Sequence, residues 1–390
     1  MRGDAPMILA VENGRLERLF LELPYLLHRR DANWVAPLRH EERHRWDSAR
    51  NPSLRTRWTQ RFIAMAGSEP VGRIAAIDDA GFADRWEPDA GLFGFFDARD
   101  DPAVSSALVS AAADALRTRG RRRMIGPVNL TFHDETGVLV QGFESPPMLL
   151  SPYNPAHYAR LLEAADCRPL REYHSYVWTP GRPRAPAVER LLAAARAGVG
   201  LARGVRIRPL DRRRWDSDVR AAWQLYSLTF ADVWGNTAMS WSEFAERAAR
   251  FRSFVVPDLV LFAERDGEPV GLALTLPDVN RALAAAQGRL LPLGWLRIAR
   301  AMARVRTARF AILGVKRDST GRGIAALLAH ETGRALERLG YEQVELSLVL
   351  DDNARVQHVI QAFGGTPLKR YRLYEHAIRA APTHALESVA

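Results

Sequence analysis

Two residues apart in the apolar run Val344-Glu345-Leu346-Ser347-Leu348-Val349-Leu350 stand a carboxylate and a hydroxyl. If the run is a strand, its two-residue period puts Glu345 and Ser347 on one face. Such a pair could draw a proton from a nucleophile, directly or through a water, while the hydroxyl orients the attacking or departing group. The competing reading is an ion pair between Glu345 and one of the chain's many arginines. A second arrangement lies upstream: Arg309–Val315 reads as a short apolar strand, residues 316–322 as a polar turn, and Gly323-Ile324-Ala325 as the opening of a helix. A strand that delivers a glycine-containing turn into a helix start leaves backbone N–H groups pointing outward, and phosphate oxygens are natural acceptors there. Lys316, Arg322 and the helix dipole would add to that attraction, and Gly321 and Gly323 would let a bulky diphosphate approach the backbone. Asp278 and Asn280, which follow another strand, are candidates for the same cleft, or for a turn.

Other chemistries are set aside. His40-Glu41-Glu42-Arg43-His44 has the spacing of a zinc-protease helix, but Arg39, Arg43 and Arg45 crowd it with positive charge and no third ligand pattern follows, so no metal is expected. The single cysteine, Cys167, has no partner for a disulfide and reads as core filler. A net charge of +10 invites a polyanionic partner, yet RNA-binding motifs and zinc modules are missing, so no nucleic acid is expected. No window of about 18 uncharged apolar residues occurs, and the start Met1-Arg2-Gly3-Asp4 lacks a signal-peptide core. The expectation is therefore a cytoplasmic protein, free or at the inner face of the membrane.

The elements that must position these residues come in two copies. Arg61–Ile77 reads as strand, tight turn, strand, and Leu261–Leu274 repeats that grammar, with Glu-Pro-Val-Gly at 69–72 and again at 268–271. The helix 107–119 closed by Gly120 is matched by 326–339 closed by Gly340. The second copy carries extra material at 289–309, where Trp295, Ile298, Ala299, Met302 and Val305 fall on one helical face and Arg297, Arg300 and Arg304 on another. It reads either as a peripheral membrane-surface element or as a helix packed on its own domain. Three prolines within 180–186 mark a linker. The division is 1–180, a linker and helix over 181–204, and 205–390. In the first copy the strand Gly91–Phe96 runs into Asp97, Asp100 and Asp101 with no glycine, an acidic end that would repel a diphosphate.

The run Gly314–Leu328 is similar to the coenzyme A loop of the GNAT acyltransferase superfamily, whose pattern is Gln or Arg, two residues, Gly, one residue, Gly or Ala. Gly323 and Ala325 hold the last two fixed positions, and Thr320 stands where Gln or Arg is usual. Residues 344–353 resemble the next GNAT strand, with Asn353 opening the family's following helix. The strings Gly126-Pro127-Val128-Asn129, Asp134-Glu135, 142–147, 152–155 and Pro277-Asp278-Val279-Asn280 resemble a bacterial group of tandem GNAT proteins that includes the bacterial ceramide synthases. The resemblance implies an α/β fold with a mixed sheet, as two tandem GNAT-like domains sharing a cleft, only the second with the cofactor loop. It implies acyl-CoA or acetyl-CoA as co-substrate, contacted by Leu313, Gly314, Val315, Lys316, Thr320, Gly321, Arg322, Gly323, Ile324, Ala325 and Asn353. The thioester would lie in a splay between two strands, with Glu345, Ser347 and Asp278 catalytic; Asn129, His133, Asp134 and Glu135 would face the second repeat across a shared cleft and meet the acceptor, the alternative being a solvated loop. The tyrosine that many family members use as an acid is missing from 359–363, leaving Tyr371 or Tyr374. The implied reaction moves an acyl group to a primary amine, with a sphingoid base or another lipid amine as acceptor and a ceramide-type product. The alternatives are acetylation of a small molecule or protein, and a non-catalytic binder of coenzyme A or another anion.

Overall fold

The computed structural model describes residues 5–196, 204–319 and 323–379. The first repeat runs β1 (Met7–Ala10), α1 (Gly14–Leu27), α2 (Arg39–Arg45), β2 (Arg57–Ala66), β3 (Glu69–Asp79), α3 (Ala80–Arg85), β4 (Ala90–Ala98), α4 (Pro102–Thr118), β5 (Arg123–Gly126), β6 (Val138–Gln141), α5 (His157–Ala164) and β7 (Arg168–Trp178). After α6 (Pro186–Arg196) the second runs β8 (Val205–Pro209), α7 (Trp215–Thr229), α8 (Trp241–Phe251), β9 (Val260–Arg265), β10 (Glu268–Pro277), α9 (Val279–Ala284), α10 (Gly294–Met302), β11 (Thr307–Val315), α11 (Ile324–Arg338), β12 (Gln343–Leu350), α12 (Ala354–Ala362) and β13 (Thr366–Ala377).

The repeated Glu-Pro-Val-Gly opens β3 and β10, each the second strand of a hairpin. In the second hairpin Asp266 and Gly267 both take positive φ, the geometry a two-residue turn demands. The matched helices cover their own repeat's sheet. Leu108, Ala112 and Leu116 of α4 join Ile74 and Ala76 in one core, and Leu328, Ala335 and Leu336 of α11 join Leu261, Ala273 and Phe310 in another. Each leucine so buried stabilises the fold by roughly 1.5–3 kcal/mol. Helix α4 begins earlier than its apolar period suggests, because Asp101 caps it through Ala103 N–H at 3.0 Å and Pro102 fits the first turn.

All the strands form one mixed sheet in the order β1-β2-β3-β4-β5-β13-β7-β12-β11-β10-β9-β8, with β6 beside β13. The repeats are not laid side by side, for each pairs its last strand with the other. β13 lies antiparallel to β5 and to β7, and β7 lies antiparallel to β12. Within each repeat one parallel pair starts and then parts. β4 and β5 stay together only over Ala90–Leu92 and Arg123–Ile125, β11 and β12 only over Thr307–Phe310 and Gln343–Leu346.

The extra segment corrects the expected amphipathic face. Helix α10 covers only Gly294–Met302, and its inner side is Ile298 with Ala301 and Met302, packed on Ala282, Ala286 and Leu38. Trp295, placed on that face by its spacing, points to solvent instead.

Candidate active site

Past Phe310, β11 continues to Val315 still bonded to β10 on one edge, while its other edge has no strand opposite. No loop backbone bonds to that open edge among the described residues. Ala311 is an extra residue here, since Leu274 pairs with Ile312 and Thr275 with Phe310. A bulge of this kind turns the backbone toward the gap. The gap leads to the start of α11, where Gly323 takes φ +75° at the N-cap. Of the expected diphosphate cradle, Thr320, Gly321 and Arg322 lie outside the described residues; Ile324 is buried and Ala325 exposed. Leu313 and Val315 are half-buried on the gap strand, and Lys316 N–H donates to Val270 O at 2.9 Å. At Gly314 a Cβ would stand 2.4 Å from Thr229 Oγ1, so the end of α7 lies directly against this strand. The Asn353 side chain caps α12 by accepting from Val356 N–H at 3.2 Å.

Beside the gap is a buried polar cluster. Glu345 is 1% exposed and its Oε1 has no hydrogen-bond partner. Burial pushes its carboxyl above the ordinary value, against the pull of Arg309, Lys369 and the Ser347 hydroxyl and with the help of Asp278. Arg309, its register partner on β11, is also buried, and donates to Leu149 O and, at 3.4 Å, to Ser347 O. No Arg309–Glu345 contact within 4 Å is formed, so the ion-pair reading of Glu345 becomes a through-space attraction between two buried charges. Ser347 Oγ and Asp278 Oδ1 have no hydrogen-bond partners either; the other Asp278 oxygen accepts from Thr307 at 3.1 Å and lies 3.3 Å from Arg281. The Tyr371 hydroxyl, fully buried and facing Glu345 and Arg309, is likewise unbonded. Tyr374 points away, donating to Glu163 of α5 at 2.9 Å. Buried polar groups without partners are uncommon and costly, and four in one cluster mark a place built to receive something polar.

Two cavities of about 320 Å³ each lie nearby, the first lined in part by Ser347 and Arg309 of the cluster. One is apolar, walled by Val219, Tyr226, Phe230 and Phe244 of α7, α8 and the segment between them, and it opens on Ala311, Ile312 and Ser347. The other lies between the repeats, bounded by Phe95, Asn129, Leu150, Tyr153, Val279 and Asn280. Of the residues expected to face the acceptor, Asp134 and His133 hold the repeats together at its edge, while Glu135 and Asn129 bond within the first repeat. Arg247 grips Asp134 with two bonds of 2.7 and 2.9 Å, and Arg45 grips Glu135 at 3.0 and 3.2 Å. His133 donates from Nε2 to Thr237 O at 3.1 Å and faces Tyr226 Oη at 2.9 Å through Nδ1; burial lowers its pKa to about 4, so it is neutral. Asn129 Oδ1 accepts from Phe95 N–H at 2.7 Å.

Glu345, Ser347 and Asp278 are thus brought together, and the residues from Leu313 to Val315 border the same gap. Arg309 and Lys369 went unrecognised in the sequence. The signal for Arg309 was a charge inside an otherwise apolar strand. Lys369, one of two lysines in the chain, donates to Ser145 O and Pro146 O at 2.7 and 2.8 Å and holds that loop over the cluster.

A duplicated mixed sheet with one parted parallel pair per repeat, followed by a helix that starts at the gap, defines a tandem GNAT fold. No family model matches the chain. It is 33% identical over 385 residues to a bacterial ceramide synthase of Caulobacter vibrioides, covering 96% of this chain and 98% of that one, and 30% identical to protein YghO of Escherichia coli over 93% of each. A tandem GNAT protein from the clavulanic acid biosynthesis pathway superposes with a TM-score of 0.54 at 12% identity, over 96% of this chain and 99% of that chain, a likeness of fold. The chain belongs to the tandem GNAT family that includes the Caulobacter ceramide synthase.

Proposed function

We propose that the protein is an acyl-CoA-dependent N-acyltransferase whose acceptor is a lipid amine of the sphingoid type, and that it works at a membrane surface. The observation that carries this reading is the open edge of β11 meeting a buried carboxylate with a free oxygen, beside an apolar cavity. The segment from Gly321 to Ala325 holds the diphosphate through its main-chain amides, and the pantetheine arm lies along the open edge between β11 and β12. Leu313 to Val315 supply an N–H for the thioester carbonyl. Glu345, with Ser347 beside it, takes the proton from the attacking amine, while Tyr371, unbonded and close by, faces the departing thiol. Asp278 keeps the cluster acidic and draws the ammonium form of the acceptor in. The apolar cavity takes the hydrocarbon of a long acyl group; an acetyl group would leave it unfilled. A division into 1–180 and 205–390, with the cofactor loop in the second part, fits this reading.

The test incubates the purified protein with acetyl and long-chain CoA donors and a panel of soluble and lipid amines, and weighs the products. A long-chain amide of a sphingoid base is expected. Acetylation of soluble amines alone would replace the lipid reading with the acetyltransferase one, and calorimetry showing no heat with any CoA derivative would remove the diphosphate site.

A further inference from the structure

Between α9 and β11 the chain makes a helical hairpin that touches both repeats. Its inner side, Ala282, Ala286 and Ile298, packs on itself and on Leu38 of the first repeat. Gly288, at φ +75°, is pressed against it as well: its carbonyl accepts from Arg39 N–H at 3.0 Å, and a Cβ there would meet Tyr25 at 2.8 Å. The hairpin is therefore a strap fixed to the first repeat, and Val279, Asn280 and Leu283 of its first helix, α9, form part of the wall of the cavity between the repeats.

The outer side is unlike the rest of the surface. Leu291 is 76% exposed, Leu293 55% and Trp295 54%, three large apolar side chains within five residues with no partner to cover them. Around them stand Arg289, Arg297, Arg300 and Arg304, all exposed, and none makes an ion pair or a side-chain hydrogen bond among the described residues. No acidic residue occurs anywhere from 279 to 317. Several other arginines sit in tight pairs, as Arg57 does with Asp79 and Glu243, or Arg208 with Asp218 and Glu264. An apolar tip inside a ring of unpaired cations, with acidic residues excluded from the whole segment, is complementary to a surface that is anionic outside and hydrocarbon beneath.

We infer that this hairpin docks the protein on an anionic phospholipid surface, with Leu291, Leu293 and Trp295 entering the acyl boundary and the four arginines on the headgroups. Docked so, the cavity between the repeats faces the bilayer, and an amphiphilic acceptor reaches it beneath the strap without crossing water. The inference deepens the lipid reading above and rests on it for the acceptor, while the docking itself is measured without any substrate.

The experiment uses the full chain with vesicles of phosphatidylcholine alone or with about a third phosphatidylglycerol, read by co-sedimentation and by Trp fluorescence. Wild type should bind the anionic vesicles at least tenfold better than the neutral ones. Replacing Arg297, Arg300 and Arg304 with Gln should weaken anionic binding by about a hundredfold, a few-fold for each charge. The triple replacement Leu291→Ser, Leu293→Ser, Trp295→Ser should weaken it tenfold or more. All these side chains are exposed, so unchanged thermal melting should accompany both variants. Wild type that ignores both vesicle types, or variants that bind as wild type does, would overturn the docking. So would a solution dimer that the triple replacement makes monomeric, since the tip would then cover a second copy. The two readings separate cleanly. Turnover of a short soluble amine without vesicle binding removes docking alone, and vesicle binding without turnover of any amine removes acyl transfer alone.

Discussion

The two parted strand pairs of this molecule are built alike and finished differently. In the first repeat the gap after Leu92 is closed from within. Val128 N–H donates to Phe93 O at 2.7 Å, and the Asn129 side chain accepts from Phe95 N–H at 2.7 Å. Glycine makes this possible, for a Cβ at Gly94 would stand 2.0 Å from Val128 O and one at Gly126 2.2 Å from Phe93 O. The acidic end of β4 is not a cluster of free charges either. Asp97, half-buried, is held by Arg73 at 2.7 Å, His28 at 2.8 Å and Tyr158 at 3.1 Å, and Asp101 caps α4. The expected repulsion of a diphosphate thus gives way to a site filled with the protein's own hydrogen bonds. In the second repeat nothing among the described residues closes the gap, and the buried acid beside it, Glu345, has Arg309 opposite but no bond to it. On the function proposed above, the site is retired in the first repeat by satisfying its backbone from within and kept in the second by leaving a carboxylate unsatisfied.

That contrast is exposed to experiment at its strongest point by two isosteric changes. Glu345→Gln should lower kcat by roughly 10²–10⁴-fold with little change in the KM for the donor, as expected for loss of a base. Asp97→Asn should leave kcat within a few-fold and instead destabilise the fold by about 3–5 kcal/mol, since it strips buried Arg73 of its partner. Equal damage to kcat from both would mean that the first gap is not retired. Next in size, Arg247→Met should cost about 3–5 kcal/mol in chemical denaturation by leaving Asp134 buried and unpaired, loosening the two repeats at the cavity between them. A smaller effect follows from filling the apolar cavity. Ala222→Phe should shift the donor preference toward shorter chains by about tenfold in relative kcat/KM, while a like change at Ala112, on the first repeat's closed core, should alter stability only.

The smallest effect is on pH dependence, and its sign is set by the raised carboxyl. The unfolded chain ionises Glu345 near its ordinary value of 4.5, while the folded chain holds the proton to higher pH. Between those points the native state binds more protons, so this group makes stability fall as pH rises. Glu345→Gln should therefore be more stable than wild type at neutral pH, and the acid limb of wild-type kcat should lie above pH 4.5. Buried His133 acts in the other direction. Its pKa falls from 6.5 to about 4 in the native state, so stability attributable to it is lost as pH drops through that interval.

Much of this was legible in the residues. The doubled Glu-Pro-Val-Gly gave the two hairpins, the helix-closing glycines gave α4 and α11, and the spacing of Glu345 and Ser347 put both in the buried cluster. What could not be read was set by residues distant in the chain. Nothing in the letters of 366–377 says that its strand lies between β5 and β7, because that choice depends on the other repeat's unsatisfied edge. Helical spacing grouped Trp295 with Ile298, but the strap meets the first repeat through a narrower stripe that excludes the indole. The two roles of Asp97 and Asp101, one held among cations and one capping a helix, look identical as letters.

The crossing of the last strands also determines how this chain can be born. Because β5 finds its outer neighbour only in residues 366–377, the first repeat leaves the ribosome with an open edge that nearly two hundred further residues must be made to cover. Stopping synthesis just before Thr366 should therefore unravel the repeat made first, not merely shorten the one made last, and mixing separately expressed repeats should restore a folded protein only when both are present.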